Sequence, residues 1–310
     1  AYPESFHSSN SYGLNKVLNT LFRKYARSVF TASKNNARYY FTTLRKNFSK
    51  DVYHILCQSL GVPPKQFNWS GENSKIVFVQ MINKNFTPKS FYQEFISPHF
   101  NFDDYVCLIN DPREEHPFNQ LYTVDCLGNV EEGKPVRYFN VHISKLSQVV
   151  QKSLEEGEAV WFGCDVNQQR IESFMDDKLD DLDHLFKLSE PIFGESKQDK
   201  LRFGESLMTH AMVFTGCYIN KNNEVERYQV ENSWGSKSFS SSNPTAKFED
   251  QLGTSDGYYT MSQTWFNKYV YEVVVNKKYL TSSLLEKYQN AVENNNVEKL
   301  PLWDPMGALA

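Results

Sequence analysis

What most constrains this chain is the order of two periodicities along it: helical spacing comes first and strand-length runs follow. From Leu14, apolar residues recur at Val17, Leu18, Leu21, Phe22, Tyr25 and Val29, which form one face of a helix. A second stripe runs through Phe41, Leu44, Phe48, Val52, Ile55, Leu56 and Leu60, before Gly61 and the pair Pro63-Pro64. Glycine accepts the left-handed backbone of a helix C-terminus, and proline blocks continuation. Beyond about residue 118 the pattern changes. Segments 121–126, 136–141, 159–166, 211–219, 225–231, 257–261 and 269–275 read as strands. Helices first and strands later predict an α+β chain rather than an alternating βαβ layout.

Smaller signals fill in the plan. Segments 75–81 and 105–109 are strand-like, and Thr87-Pro88 reads as an N-cap with proline in the first helical turn. Ser144 reads as the cap of a helix through Leu146, Val149, Val150 and Leu154, which Gly157 ends. The polar, acidic stretch 168–200 belongs outside the core. A short helix opens at Ser262, a longer one covers 281–293, and 300–310 is an extended tail. This gives three regions: 1–117 mainly helical, 118–280 strand-rich, and 281–310 a helix with a tail.

A formal charge of −4 gives no electrostatic case for nucleic acid or an anionic membrane. Cys57, Cys107, Cys126, Cys164 and Cys217 are odd in number, widely spaced and without a CxxC pair. They fit reduced thiols in a cytoplasmic protein better than a disulfide framework. All but Cys57, which sits late in a helix, fall in strand-like runs and read as small buried hydrophobes. There is no bilayer-length apolar run and no signal-peptide pattern. The Asn-x-Ser/Thr triplets at Asn47, Asn68 and Asn85 are read as chance matches. The chain opens at Ala1 without an initiator methionine, which leaves room for a longer parent protein.

The chemistry concentrates at His210 and Asn232. His210 opens the apolar run 211–216, and Asn232 ends the next strand, in Val230-Glu-Asn-Ser-Trp-Gly235. Two antiparallel strands would bring the side chains together. A thiolate nucleophile needs an imidazolium beside it, and the imidazole must be held in one tautomer. An asparagine oxygen accepting from Nδ1–H would do this without adding charge. Trp234 could cover that bond and exclude water. The plainer reading is that a histidine on a strand, one of seven here, is an ordinary packed or surface residue.

Longer stretches sharpen the choice. Asn232-Ser-Trp-Gly235 after a His-Ala strand resembles the histidine and asparagine half of papain-like cysteine peptidases. Val106-Cys-Leu-Ile-Asn-Asp-Pro112, Gly157-Glu-Ala-Val-Trp-Phe-Gly-Cys-Asp-Val166, Phe203-Gly-Glu-Ser-Leu-Met-Thr-His-Ala-Met212 and Trp303-Asp-Pro-Met-Gly-Ala-Leu-Ala310 resemble one branch, the bleomycin hydrolases and aminopeptidases C. The resemblance implies a papain-like α+β fold with the strand-rich half and helical insertions present and most of the N-terminal helical half absent. It implies His210 as general base and acid, Asn232 as its orienting group, and no metal or organic cofactor. The carboxylate of Ala310 would pair with the α-ammonium of a peptide substrate, which restricts cleavage to N-terminal residues. A homo-hexamer is implied, with 1–117 as its insertion and oligomerisation region. The nucleophile's context, a Gln six residues ahead of Cys-Trp, does not occur in the chain, so the catalytic cysteine is expected outside it and the chain alone is expected to be inactive. Segment 236–256 is expected to form an enlarged loop. The alternative is a non-catalytic relative that binds peptide or nucleic acid, or serves as an assembly subunit.

Overall fold

The computed structural model describes residues 11–35, 40–68, 85–128, 133–168, 170–171, 174–175, 196–233 and 257–307. The expected strand at 75–81, the loop 236–256 and most of 168–200 fall outside these residues. The chain divides into two units, Ala1–Phe100 and Asn101–Ala310.

In the first unit, helices α1 (Tyr12–Lys34) and α2 (Tyr40–Leu60) follow the two predicted stripes. They join through Phe48, whose ring lies 5.2 Å from that of Phe22 and 4.8 Å from that of Tyr25, and through Tyr25 Oη donating to Asp51 at 2.8 Å. Gly61 closes α2 with φ +84°, the left-handed conformation for which glycine was read there. The short strands β1 (Phe67–Asn68) and β2 (Asn85–Phe86) pair antiparallel. Thr87 caps α3 (Pro88–Phe91) in a reciprocal box with Ser90, as Thr87-Pro88 predicts.

The second unit is built on a mixed sheet. Its strands are β3 (Tyr105–Ile109), β4 (Leu121–Val124), β5 (Tyr138–Asn140), β6 (Val160–Cys164), β7 (Arg170–Ile171), β8 (Phe174–Met175), β9 (His210–Ile219), β10 (Val225–Glu231), β11 (Tyr258–Ser262), β12 (Val270–Asn276) and β13 (Val297–Leu300). Their spatial order is β13-β4-β5-β3-β12-β6-β9-β10-β11-β8-β7. Strand alternation gives the sheet two apolar faces. Val106 and Leu108 look into a large core with Phe162, Phe214, Tyr228 and Phe266. Ile109 looks into a smaller one with Tyr122, Tyr138, Tyr271, Leu300 and Met306. Helix α4 (Ile143–Glu155) buries Leu146, Val149 and Val150 in the larger core. Its cap is His142, whose Nδ1 accepts from Ser144 N, so the cap lies two residues ahead of the serine to which the sequence assigned it. Helix α5 (Lys197–Arg202) buries Lys200 and Leu201, which corrects the placement of the whole 168–200 stretch outside the core.

Two sheet details position the site. First, β9 and β10 form a hairpin whose register changes twice, between Val225 and Arg227 and between Gln229 and Val230. One strand carries an extra residue at Glu226 and the other at Thr215, so the offsets cancel. Second, β13, which the sequence did not mark as a strand, leads into the tail and runs parallel to β4 from Val297↔Leu121 to Leu300↔Val124. Helices α6 (Gln263–Tyr269) and α7 (Ser282–Asn294) begin at the side-chain caps Ser262 and Thr281, close to where the sequence placed them.

Candidate active site

His210 is the first residue of β9, and Asn232 directly follows β10, so the hairpin returns one towards the other. His210 Nε2 lies 2.9 Å from Asn232 Oδ1. That oxygen also accepts from Ser233 N at 2.8 Å, which fixes the carboxamide with its oxygen towards the ring. An acceptor-only oxygen places the imidazole proton on Nε2 and leaves Nδ1 as the basic nitrogen of the neutral ring. This corrects the expected tautomer, in which Nδ1–H faced the asparagine. Asn232 is 8% exposed, and its Nδ2 is buried without a hydrogen-bond partner among the described residues. Trp234 and Ala310, the other two expected site residues, lie outside the described residues.

Behind His210, one carboxylate holds the approach to β9. Asp165 accepts from Ser206 Oγ at 2.9 Å, Leu207 N at 3.3 Å, Thr209 Oγ1 at 3.2 Å and Gln168 Nε2 at 3.1 Å. Since Ser206 donates to Asp165, the Tyr271 hydroxyl 2.6 Å away donates to Ser206. Thr209 N also bonds Cys164 O at 3.0 Å, and Cys164 pairs with His210 across β6 and β9. Sequence reading quoted Asp165 only within a resembling stretch, because its donors lie as far as 44 residues away. Replacing Asp165 by alanine strands three loop donors. We expect a loss of about 2–4 kcal/mol in denaturant unfolding and a shifted His210 imidazole resonance. An unmoved resonance means the carboxylate does not hold the loop.

The cysteines offer no activated nucleophile among those whose titration is displaced. Burial, with Glu272 nearby, pushes the Cys107 thiol up. Burial and Asp165 do the same to Cys164, and burial and Glu155 to Cys217. All three shifts favour the protonated thiol, the reverse of what nucleophilic attack needs. Cys164 stands beside His210 in the ladder, yet its side chain is sealed in the larger core. Cys126 departs from the expected buried strand position: it is exposed, in a turn after β4, with φ +58°. Among the described residues, no cluster of three or more His, Cys, Asp or Glu side chains could hold a metal. No described helix is long and apolar enough to cross a membrane.

A helix-backed mixed sheet with a hydrogen-bonded histidine and asparagine on one hairpin is the strand-rich architecture of papain-like proteins. Residues 1–307 match the Peptidase C1-like family. The chain is 37% identical over 315 residues to aminopeptidase C of Listeria innocua and 36% identical over 320 residues to bleomycin hydrolase of Gallus gallus. Each alignment covers 100% of this chain and 64% of the relative. The crystal structure of PepW from Lactobacillus rhamnosis superposes with a TM-score of 0.80 at 34% identity, covering 100% of this chain and 64% of that one. The chain therefore belongs to the Peptidase C1-like family and has its papain-like fold, and it spans 64% of the length of these relatives.

Proposed function

We propose that this chain is the histidine- and asparagine-bearing part of a cysteine aminopeptidase of the bleomycin hydrolase type, whose nucleophilic cysteine lies outside it. The observation that carries this reading is the 2.9 Å contact from His210 Nε2 to Asn232 Oδ1 in a chain of this family. Asn232 holds the ring, so Nδ1 receives the thiol proton and the resulting imidazolium stabilises the thiolate. The thiolate attacks the carbonyl of a peptide's first residue. His210 passes the proton to the departing amine, and the acyl-enzyme forms. Water, deprotonated by the same nitrogen, then releases the product. Trp234 shields the His210–Asn232 bond. Asn232 Nδ2 has no hydrogen-bond partner among the described residues, which supports a site completed by an acceptor outside them.

The Ala310 carboxylate acts as the clamp for the substrate ammonium. Pro305 O accepts from Met208 N at 3.0 Å, two residues before His210. Any three-residue chain end spans at most about 10 Å, a length compatible with a carboxylate near the histidine. We assign 1–117 to assembly, as a homo-hexamer in the cytoplasm, 118–280 to the acid–base pair and 281–310 to the clamp. The substrates are peptides with a free N-terminus and the amide of bleomycin-like compounds.

The test is fluorophore release from an aminoacyl substrate by the full-length protein, with and without a thiol alkylator. Alkylation should abolish turnover, and insensitivity would end the cysteine mechanism. The 310-residue chain alone should show none, whereas thiol-dependent turnover by it would place the nucleophile among its own cysteines.

A further inference from the structure

The tail that leads to Ala310 is fastened by a buried group of charges that the proposed chemistry leaves unused. Arg113, 7% exposed, follows β3, and Asp304, 6% exposed, lies in the tail. Arg113 Nη2 donates to Asp304 Oδ1 at 2.9 Å and Oδ2 at 3.1 Å. On its other side the guanidinium meets Asp111, through Nε to Oδ1 at 2.9 Å and Nη2 to Oδ2 at 2.7 Å. His116 Nδ1 sits 2.6 Å from Asp111 Oδ2.

The loop carrying these groups is itself fixed. Asn140 Nδ2 donates to the carbonyls of Asp111 at 2.8 Å and His116 at 2.9 Å, and its Oδ1 accepts from Asp111 N at 2.9 Å. Burial alone would raise the Asp111 carboxyl, but hydrogen bonds from His116 and Arg113 outweigh it and hold the group down at about 2. The loop is charged and preorganised to receive Asp304.

Asp304 also turns the tail. Its Oδ1 accepts from Met306 N at 2.9 Å, and its carbonyl accepts from Gly307 N at 2.8 Å. Met306 is fully buried in the smaller core, and a Cβ on Gly307 would meet Val124 Cγ1 at 2.9 Å, so the tail is seated on the sheet with no room to shift inward. The loop and the tail are 191 residues apart in sequence, and nothing in the acyl-transfer chemistry requires their pairing.

We propose that Arg113 and Asp304 form a latch that sets the reach of the C-terminal carboxylate, making them positioning residues for aminopeptidase specificity. This rests on the reading of the Ala310 carboxylate as the ammonium clamp. With the latch closed, Asp304–Gly307 give the chain end one fixed starting point. With it open, the tail retains its carboxylate but not its position, and peptides without a free N-terminus gain access.

The full-length protein distinguishes these steps through one ratio: cleavage inside an N-acetylated peptide over fluorophore release from an aminoacyl substrate. Asp304→Asn leaves Arg113 paired with Asp111, so no buried charge is stranded. It should raise the ratio at least about tenfold, the scale of one lost charge-assisted contact. Gly307→Ala, which forces the same segment away from Val124 without touching a charge, should do likewise. Deleting residues 308–310 should produce the same rise, and Asp304→Asn added to that deletion should change nothing more. If the deletion raises the ratio while both point variants leave it at the parent value, the latch is wrong and the clamp stands. If the deletion itself leaves the ratio unmoved, the clamp falls and the latch's role in specificity with it.

Discussion

His210→Ala in the full-length protein should lower kcat by at least about a thousandfold, with KM changed only a few-fold. The imidazole is asked for two things at once: a positive charge beside the thiolate and a proton for the leaving amine. Neither contributes to holding the substrate, so the loss falls on the chemical step. Asn232→Ala should cost less, about ten- to a hundredfold, the worth of one hydrogen bond to a group that becomes charged. The ring remains in place but loses its fixed tautomer, because Asn232 Oδ1 is what places the proton on Nε2. Single-turnover kinetics with an active-site titrant separate acylation from folding losses. Turnover by His210→Ala within tenfold of the parent would sink the acid–base assignment.

A comparable effect on stability should come from Glu272, in the middle of β12 and only 4% exposed. Its strand lies between β3 and β6, at Ile109 and Gly163, with no room for a solvated charge. Burial pushes its carboxyl from 4.5 up to about 7, against a hydrogen bond from the Cys107 thiol that favours the anion. Below pH 4.5 both folded and unfolded chains hold the proton, and Glu272 adds no pH dependence. Between 4.5 and 7 the unfolded chain has released it while the folded chain keeps it. Stability therefore falls as pH rises through this window, by about 1.4 kcal/mol per unit and about 3 kcal/mol in all.

Glu272→Gln should remove that slope and unfold at higher denaturant than the parent at pH 7, with the difference shrinking towards pH 4.5. Equal slopes in parent and variant would show that Glu272 is already ionised in the folded chain. The comparison belongs below neutrality, because Lys197 acts in the next window. Burial lowers its ammonium to about 7, so its contribution to stability rises with pH from there towards 10.5.

Where local chemistry decided an element, the sequence was readable. Thr87-Pro88, Gly61 and Ser262 mark helix ends because each forms its own cap or stop within a few residues. The histidine and asparagine were legible as a pair because one hairpin joins them. The ring nitrogen that faces the asparagine was not, since it depends on a side-chain rotamer. Strand β13 was missed for a different reason. Val297-Glu-Lys-Leu300 has too little apolar alternation to announce a strand, and it exists because β4 offers an open edge. Asp165, Arg113 and Asp304 are each unremarkable polar residues in the string of letters. Their importance arises from partners brought in from elsewhere in the chain, which no local pattern encodes.

The two compensating bulges in the β9–β10 hairpin bear on which length changes the site tolerates. The turn at 220–224 lies outside the paired stretch that ends with Ile219 and Val225, so added residues there lengthen a tip and alter nothing below it. Within the paired segments themselves, His210–Ile219 and Val225–Glu231, the count is rigid. Removing one residue shifts every side chain beyond it to the opposite face of one strand relative to the other. His210 has neighbours on both sides, Cys164 on β6 and the Asn232 carboxamide beyond β10, and after such a deletion β9 can keep step with one of them but not both. The odd-and-even bookkeeping of this hairpin is thus a hidden condition on the His210–Asn232 contact, sensitive to a single lost codon several residues from either side chain.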